Sequence, residues 1–118
     1  MANAAVETVP VGRAGRLVVA RGELDFYSAP ALRADLLAAI GAAEVVVVDL
    51  LEVTFADSTA LGTLVGAAKQ MPGDTRLAVA CADANVRRTL ELTGIDRVIP
   101  VHETVEDAFA ASDATRRA

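Results

Sequence analysis

The sequence predicts an α/β domain in which a mixed, mostly parallel β-sheet carries about four packed helices. Three features lead there. Two short β-type runs flank a glycine turn near the start. Val45-Val46-Val47-Val48 is an uninterrupted apolar run. From that point helix-like and strand-like segments alternate to the end. A starting hairpin followed by alternating units gives one antiparallel pairing and parallel pairings after it.

The chain has 118 residues, enough for a single domain over 1–118 with an ordered core from about 5 to 111. A chain of this length buries roughly 65% of its surface, so the core needs no disulfide or metal staple. Hydrophobic residues make up 53% and aromatic residues 3%, which makes that core aliphatic.

Val6, Thr8 and Val11 mark the first strand. Gly12-Arg13-Ala14-Gly15 reads as the hairpin turn, where glycine supplies positive φ without steric cost. Arg16 to Ala20 forms the second strand, and Gly22-Glu23-Leu24-Asp25 then leaves the sheet. Ser28 is placed to cap the first helix, with Pro30 in its first turn. Leu32, Leu36, Leu37 and Ile40 follow at helical spacing, and Gly41 closes the helix. Glu44 to Leu50 is the strongest strand, because a continuous apolar run suits a strand covered on both faces.

After Leu51 to Ala56 come Asp57-Ser58 and a helix to about Gln70. Met71-Pro72-Gly73-Asp74 is a turn, and Leu77 to Cys81 is a fourth strand. Asp83 caps a helix through Leu92 that Gly94 ends. Val98 to Val101 is a fifth strand, with Pro100 marking an edge or a strand end. Thr104 and Asp107 resemble a capping box opening a last helix to about Ala111. Residues 1–4 and about 112–118 are polar or small and are expected to fray.

A net charge of −5 argues against nucleic acid, which needs a row of cations, and against anionic lipid surfaces. Cys81 is the single cysteine, which excludes a disulfide framework and a Cys-rich zinc site. It reads as a buried inert thiol. His102 is the one histidine and reads as an exposed loop or strand-end residue, without partners for a metal or a triad. Neither phosphate-cradling glycine loop is present. Asp49 ends a Val-rich strand as a receiver aspartate would, yet the acidic pair and lysine of such a site are missing, since Lys69 lies in a helix. No basic n-region precedes an apolar stretch, and no run reaches the roughly 18–20 residues of a membrane span, so a cytoplasmic location is expected.

The informative segment is Thr54-Phe55-Ala56-Asp57-Ser58-Thr59-Ala60-Leu61-Gly62. Ser58 falls where a loop enters a helix. It can cap that helix, and it can also accept a phosphate, which the free N–H groups and partial positive charge of a helix start tolerate. In the helix, Leu61, Leu64, Val65 and Ala68 make an apolar stripe toward the sheet. The opposite face carries Thr59, Gly62, Thr63, Gly66 and Gln70, nearly without charge. Two interior glycines cost roughly 1–2 kcal/mol relative to alanine. They either pack against a neighbouring helix of the domain or leave bare surface for a partner's backbone.

These residues resemble the STAS-domain anti-sigma factor antagonists of bacteria over about residues 6–111. The resemblance is carried by Gly22-Glu23-Leu24-Asp25, by Val45 to Leu50 with Val53 to Gly62, and by Val86 to Ile95, in that order. It implies a STAS-like domain in which Ser58 is the phosphorylated serine and Asp57 the acidic residue before it. The partner-binding surface it implies comprises Glu23, Asp25, Asp57, Ser58, Thr59, Gly62, Thr63 and Gly66. Where the family pattern has glycine, this chain has Ala60.

The implied activity is partner switching in transcription regulation. The unmodified chain binds an anti-sigma factor that is also a serine kinase with a histidine-kinase-like ATPase fold, and a sigma factor is released. Phosphorylation of Ser58 ends the binding, and a PP2C-type phosphatase restores the serine. The chain is a substrate, not an enzyme. It needs no cofactor and touches neither nucleic acid nor membrane directly. The alternative is a STAS subunit that regulates the ATPase of a membrane transporter through the same surface. An enzyme of small-molecule phosphate chemistry is disfavoured by the missing phosphate loop.

Overall fold

The hairpin is formed by β1 (Ala5–Val11) and β2 (Gly15–Leu24). Gly12 turns the chain at φ 62°. Gly15 starts β2 because a Cβ there would meet the Val11 carbonyl oxygen at 2.6 Å. In the computed structural model residues 5–117 are described, with side chains as far as Asp113. The remaining elements are α1 (Ala29–Ala42), β3 (Val45–Ala56), α2 (Ser58–Lys69), β4 (Arg76–Ala80), α3 (Ala84–Leu92), β5 (Val101–His102) and α4 (Val105–Arg117).

The five strands lie in the order β1-β2-β3-β4-β5, with β1 antiparallel to β2 and every other pair parallel. The pleat sorts side chains by turns to the two faces. Val18, Val46, Val48, Leu50 and Val79 meet Leu32 and Leu36 of α1, Leu61 and Leu64 of α2, and Val86 and Leu90 of α3. Val45, Val47, Ala78 and Ala80 face the other way, onto Val105, Ala108 and Phe109 of α4. Val45 to Val48 are thus buried on both sides, as their unbroken apolar run predicts.

Several boundaries differ from the expectation. Gly22 to Leu24 do not leave the sheet. They stay paired because β3 also continues, through Leu51 to Ala56, and gives them a partner strand. The ribbon bends at two register shifts, between Val19 and Arg21 and between Gly22 and Glu23, and Gly22 takes φ 84° there. Gly41 does not close α1. The helix runs to Ala42 and passes into extended backbone at Ala43, where the Glu44 amide donates to the Ala14 carbonyl and draws the chain directly into β3.

Val98 does not begin the fifth strand. Gly94 at φ 77° leads into a 3-10 turn, Ile95–Arg97, whose amide bonds fold the segment back on Ile95. Only Val101–His102 pair with β4, at the sheet edge and just past Pro100. The last helix passes Ala111 and continues to Arg117, with Ser112 buried against the body of the fold. Residues 1–4 and Ala118, expected to fray, lie outside the described residues.

Candidate functional site

The paired extensions of β2 and β3 bring Asp25 and Asp57 side by side, because Leu24 pairs with Ala56 and the Asp57 amide donates to the Leu24 carbonyl at 3.0 Å. The loops that follow each start a helix, so α1 and α2 begin at the same end of the sheet. Asp57, not Ser58, is the N-cap of α2. Its backbone is extended, with φ −92° and ψ 176°, and its Oδ1 accepts from the Ala60 amide at 3.0 Å. Ser58 is the first helical residue, exposed to solvent, and its hydroxyl is relieved of capping. The amides of Ser58 and Thr59 belong to the first turn, where no carbonyl of the helix can reach them.

Asp57 has a second partner. Its Oδ2 accepts from the Phe26 amide at 3.1 Å, across from α2 to the loop before α1. In that loop Ser28 holds the N-cap position of α1 without a side-chain cap bond, and Asp25 ties down the turn before it. The Asp25 Oδ1 accepts from the Tyr27 and Ser28 amides, each at 3.0 Å. The Ser28 hydroxyl turns back on the loop, accepting from the Asp25 amide at 2.8 Å, and gives α1 no side-chain cap. Two of the carboxylates singled out in the sequence are therefore structural clamps on backbone N–H groups. Their charge stays at the surface, since both residues are half-buried.

Thr59 and Gly62 are exposed, and Thr63 and Gly66 are half-buried on the same side of α2. The Thr63 hydroxyl bonds the Thr59 carbonyl at 3.1 Å. An added Cβ at Gly62 or at Gly66 would meet nothing within 4 Å. Packing against a neighbouring helix thus does not explain these glycines, and the face they form is bare. The buried stripe is Ala60, Leu61, Leu64 and Ala67, with Val65 and Ala68 at its margin. It is turned from the expected stripe toward Ala60 and Ala67, and α1 lies in contact with α2. Glu23 is exposed and sits opposite Phe55 in the ladder.

The sequence reading missed Phe26 and Tyr27. They are 65% and 87% exposed, and their rings meet edge to face at 5.5 Å. With Ala29, Pro30, Arg33, Thr59 and Thr63 they line an open groove of about 400 Å³ beside Ser58. The chain has three Phe and one Tyr, so two adjacent aromatics in a polar loop were the available signal.

Elsewhere the chemistry is sparse. Cys81 is buried; burial pushes its thiol up, against smaller downward pulls from the Asp83 backbone and Arg87. His102 ends a strand but is half-buried rather than exposed, with Nε2 lacking a hydrogen-bond partner. Among the described residues no three His, Cys, Asp or Glu are grouped to hold a metal ion, and no helix is long and apolar enough to cross a membrane. The arrangement offers an exposed hydroxyl at a helix start on a bare face, and no acid, base or nucleophile set around it.

Known proteins share this fold. The family model of the STAS domain matches residues 6–108. The crystal structure of an anti-sigma factor antagonist from Mycobacterium paratuberculosis is 27% identical, covering 94% of this chain and 95% of that one with a TM-score of 0.88. The unphosphorylated form of the anti-sigma factor antagonist SpoIIAA is 22% identical, covering 97% and 98% with a TM-score of 0.77. The phosphorylated form of SpoIIAA, a Bacillus cell fate determinant, is 22% identical, covering 91% and 98% with a TM-score of 0.69.

Proposed function

The chain belongs to the STAS domain family, and on that premise we propose that it is an anti-sigma factor antagonist switched by phosphorylation of Ser58. Unmodified, it binds an anti-sigma factor that is also a serine kinase with a histidine-kinase-like ATPase fold, and a sigma factor goes free. The kinase holds ATP and Mg²⁺ in its own site and transfers the γ-phosphoryl group to the Ser58 oxygen. ADP leaves, and a PP2C-type phosphatase later hydrolyses the phosphoserine. The chain supplies no catalytic group.

The observation that carries the reading is the exposed Ser58 at the first position of α2, with Asp57 doing the capping beside it. With the cap supplied by Asp57, the Ser58 hydroxyl is exposed and unengaged by the helix start. The bare face at Gly62 and Gly66 lets a partner's backbone come close. Supporting the reading further, one relative of this fold is described as an anti-sigma factor antagonist and SpoIIAA occurs in a phosphorylated form.

The energetics suffice. A phosphate brings about −1.5 to −2 charges. Weakening a complex a thousandfold takes about 4.1 kcal/mol. Pressing a dianion onto a surface fitted to a neutral hydroxyl, beside the carboxylate of Asp57, costs several kcal/mol. The α2 dipole returns at most about 2 kcal/mol, and the free phosphoprotein gains it too. Dissociation with little change of fold is the expected result.

The test is incubation of the chain with a lysate of its source cells and ATP, followed by peptide mass spectrometry. Phosphate on Ser58, absent from Ser58→Ala, supports the reading. A chain left unmodified, or modified elsewhere with Ser58 intact, contradicts it.

A further inference from the structure

Resting on the kinase reading above, we propose that the groove of Phe26, Tyr27 and Arg33 is the specificity pocket of this chain, seating one apolar side chain of the kinase next to a kinase carboxylate. The groove is separate from the phosphoacceptor, yet it shares Thr59 and Thr63 with the exposed face of α2, so a partner over Ser58 extends onto it without a break.

Three observations give it this occupant. First, Phe26 and Tyr27 are 65% and 87% exposed although aromatics are scarce in the chain. Tyr, Phe and Arg are the residues that protein interfaces concentrate at their buried centres. Second, the pair is held ready. The rings brace each other edge to face at 5.5 Å, and the Phe26 amide is bonded to Asp57. A pre-positioned anchor loses less conformational freedom on binding. Third, Arg33 lines the groove as its cation and forms no ion pair among the described residues. The carboxylates of Asp25 and Asp57 are both turned to backbone amides instead. An apolar side chain alone would leave Arg33 unanswered, and a carboxylate beside it completes the match.

The experiment compares wild type, Tyr27→Ala, the double variant Phe26→Ala/Tyr27→Ala, and Arg33→Glu as full chains. Source-cell lysate and ATP serve as the probe, and the initial rate of Ser58 phosphorylation is followed against chain concentration. Unchanged circular dichroism and melting temperature exclude misfolding, and Tyr27→Ala keeps the test decisive if the double variant unfolds.

The apparent KM should rise roughly 10- to 100-fold in the aromatic variants, as for loss of an interface hot spot, with the maximal rate preserved. Arg33→Glu should raise KM at low salt, less so at high salt. Phosphorylation of every variant at the wild-type KM overturns the pocket and leaves the kinase reading standing. A wild type with no phosphate on Ser58 overturns both. A wild-type dimer at micromolar concentration that the aromatic variants abolish, with phosphorylation unaffected, assigns the groove to a second copy of this chain and also overturns the proposal.

Discussion

Asp57 holds Phe26: its Oδ2 accepts from the Phe26 amide at 3.1 Å while its Oδ1 caps α2 at the Ala60 amide, 3.0 Å away. One carboxylate therefore fixes two things, the start of the helix that carries Ser58 and the loop that carries the exposed aromatics. Removing it should loosen both. A cap is worth about 1 kcal/mol and a second hydrogen bond about 0.5–1.5 kcal/mol. Asp57→Ala is thus expected to lose roughly 1–3 kcal/mol in urea unfolding. Asn caps about as well as Asp, so Asp57→Asn should lose clearly less. Equal losses for the two substitutions would mean that the charge or the Oδ2 bond to Phe26, which an Asn amide nitrogen cannot accept, matters more than the cap.

Ser58 gives the complementary result. Because the cap belongs to Asp57, Ser58→Ala should change stability by less than about 0.5 kcal/mol, the usual range for a surface substitution away from special features. It should still bind the kinase and take up no phosphate. Ser58→Asp and Ser58→Glu should bind poorly while their circular dichroism stays native. Acidic variants that bind as tightly as wild type would remove the electrostatic switch from this site.

The framework was legible because its signals are local. Val45 to Val48 announced a strand covered twice, and Asp83 with Gly94 bounded α3 as written in the sequence. The choice between Asp57 and Ser58 was not legible, since both are good caps and neighbours. The extended backbone of Asp57 settles it, and that backbone follows from the β2–β3 extension. That extension was hidden by its register shifts, which break the period-two alternation between Leu50 and Ala56. Phe26 and Tyr27 were missed because aromatics default to the core. Here the loop between β2 and α1 carries both on the outside.

Cys81 makes a pH prediction. Burial raises its thiol above the ordinary value of about 8.5 in an unfolded chain. The native state then keeps the proton that the unfolded state gives up. Stability from this group is fully present below about pH 8.5 and is lost as the pH climbs from there toward the raised native value. The urea midpoint of wild type should therefore fall more steeply from pH 8 to 10 than that of Cys81→Ala, whatever constant offset the smaller side chain adds. Parallel slopes would show that the thiol titrates alike in both states.

Gly62 sets stability against function. It lies inside α2 with ordinary helical φ, and an added Cβ would meet only open space. Alanine restricts the unfolded chain and suits the helix, so Gly62→Ala should stabilise the protein by about 0.5–1 kcal/mol. A glycine kept against that gain has a use outside the folded chain itself, and close approach of a partner's backbone is such a use. Melting temperature should rise while the rate of Ser58 phosphorylation at low chain concentration falls. Gly66→Ala, one turn along on the half-buried side, should give the same gain with a smaller loss. If Gly62→Ala is both more stable and phosphorylated as fast as wild type, the bare face of α2 is not where the kinase docks.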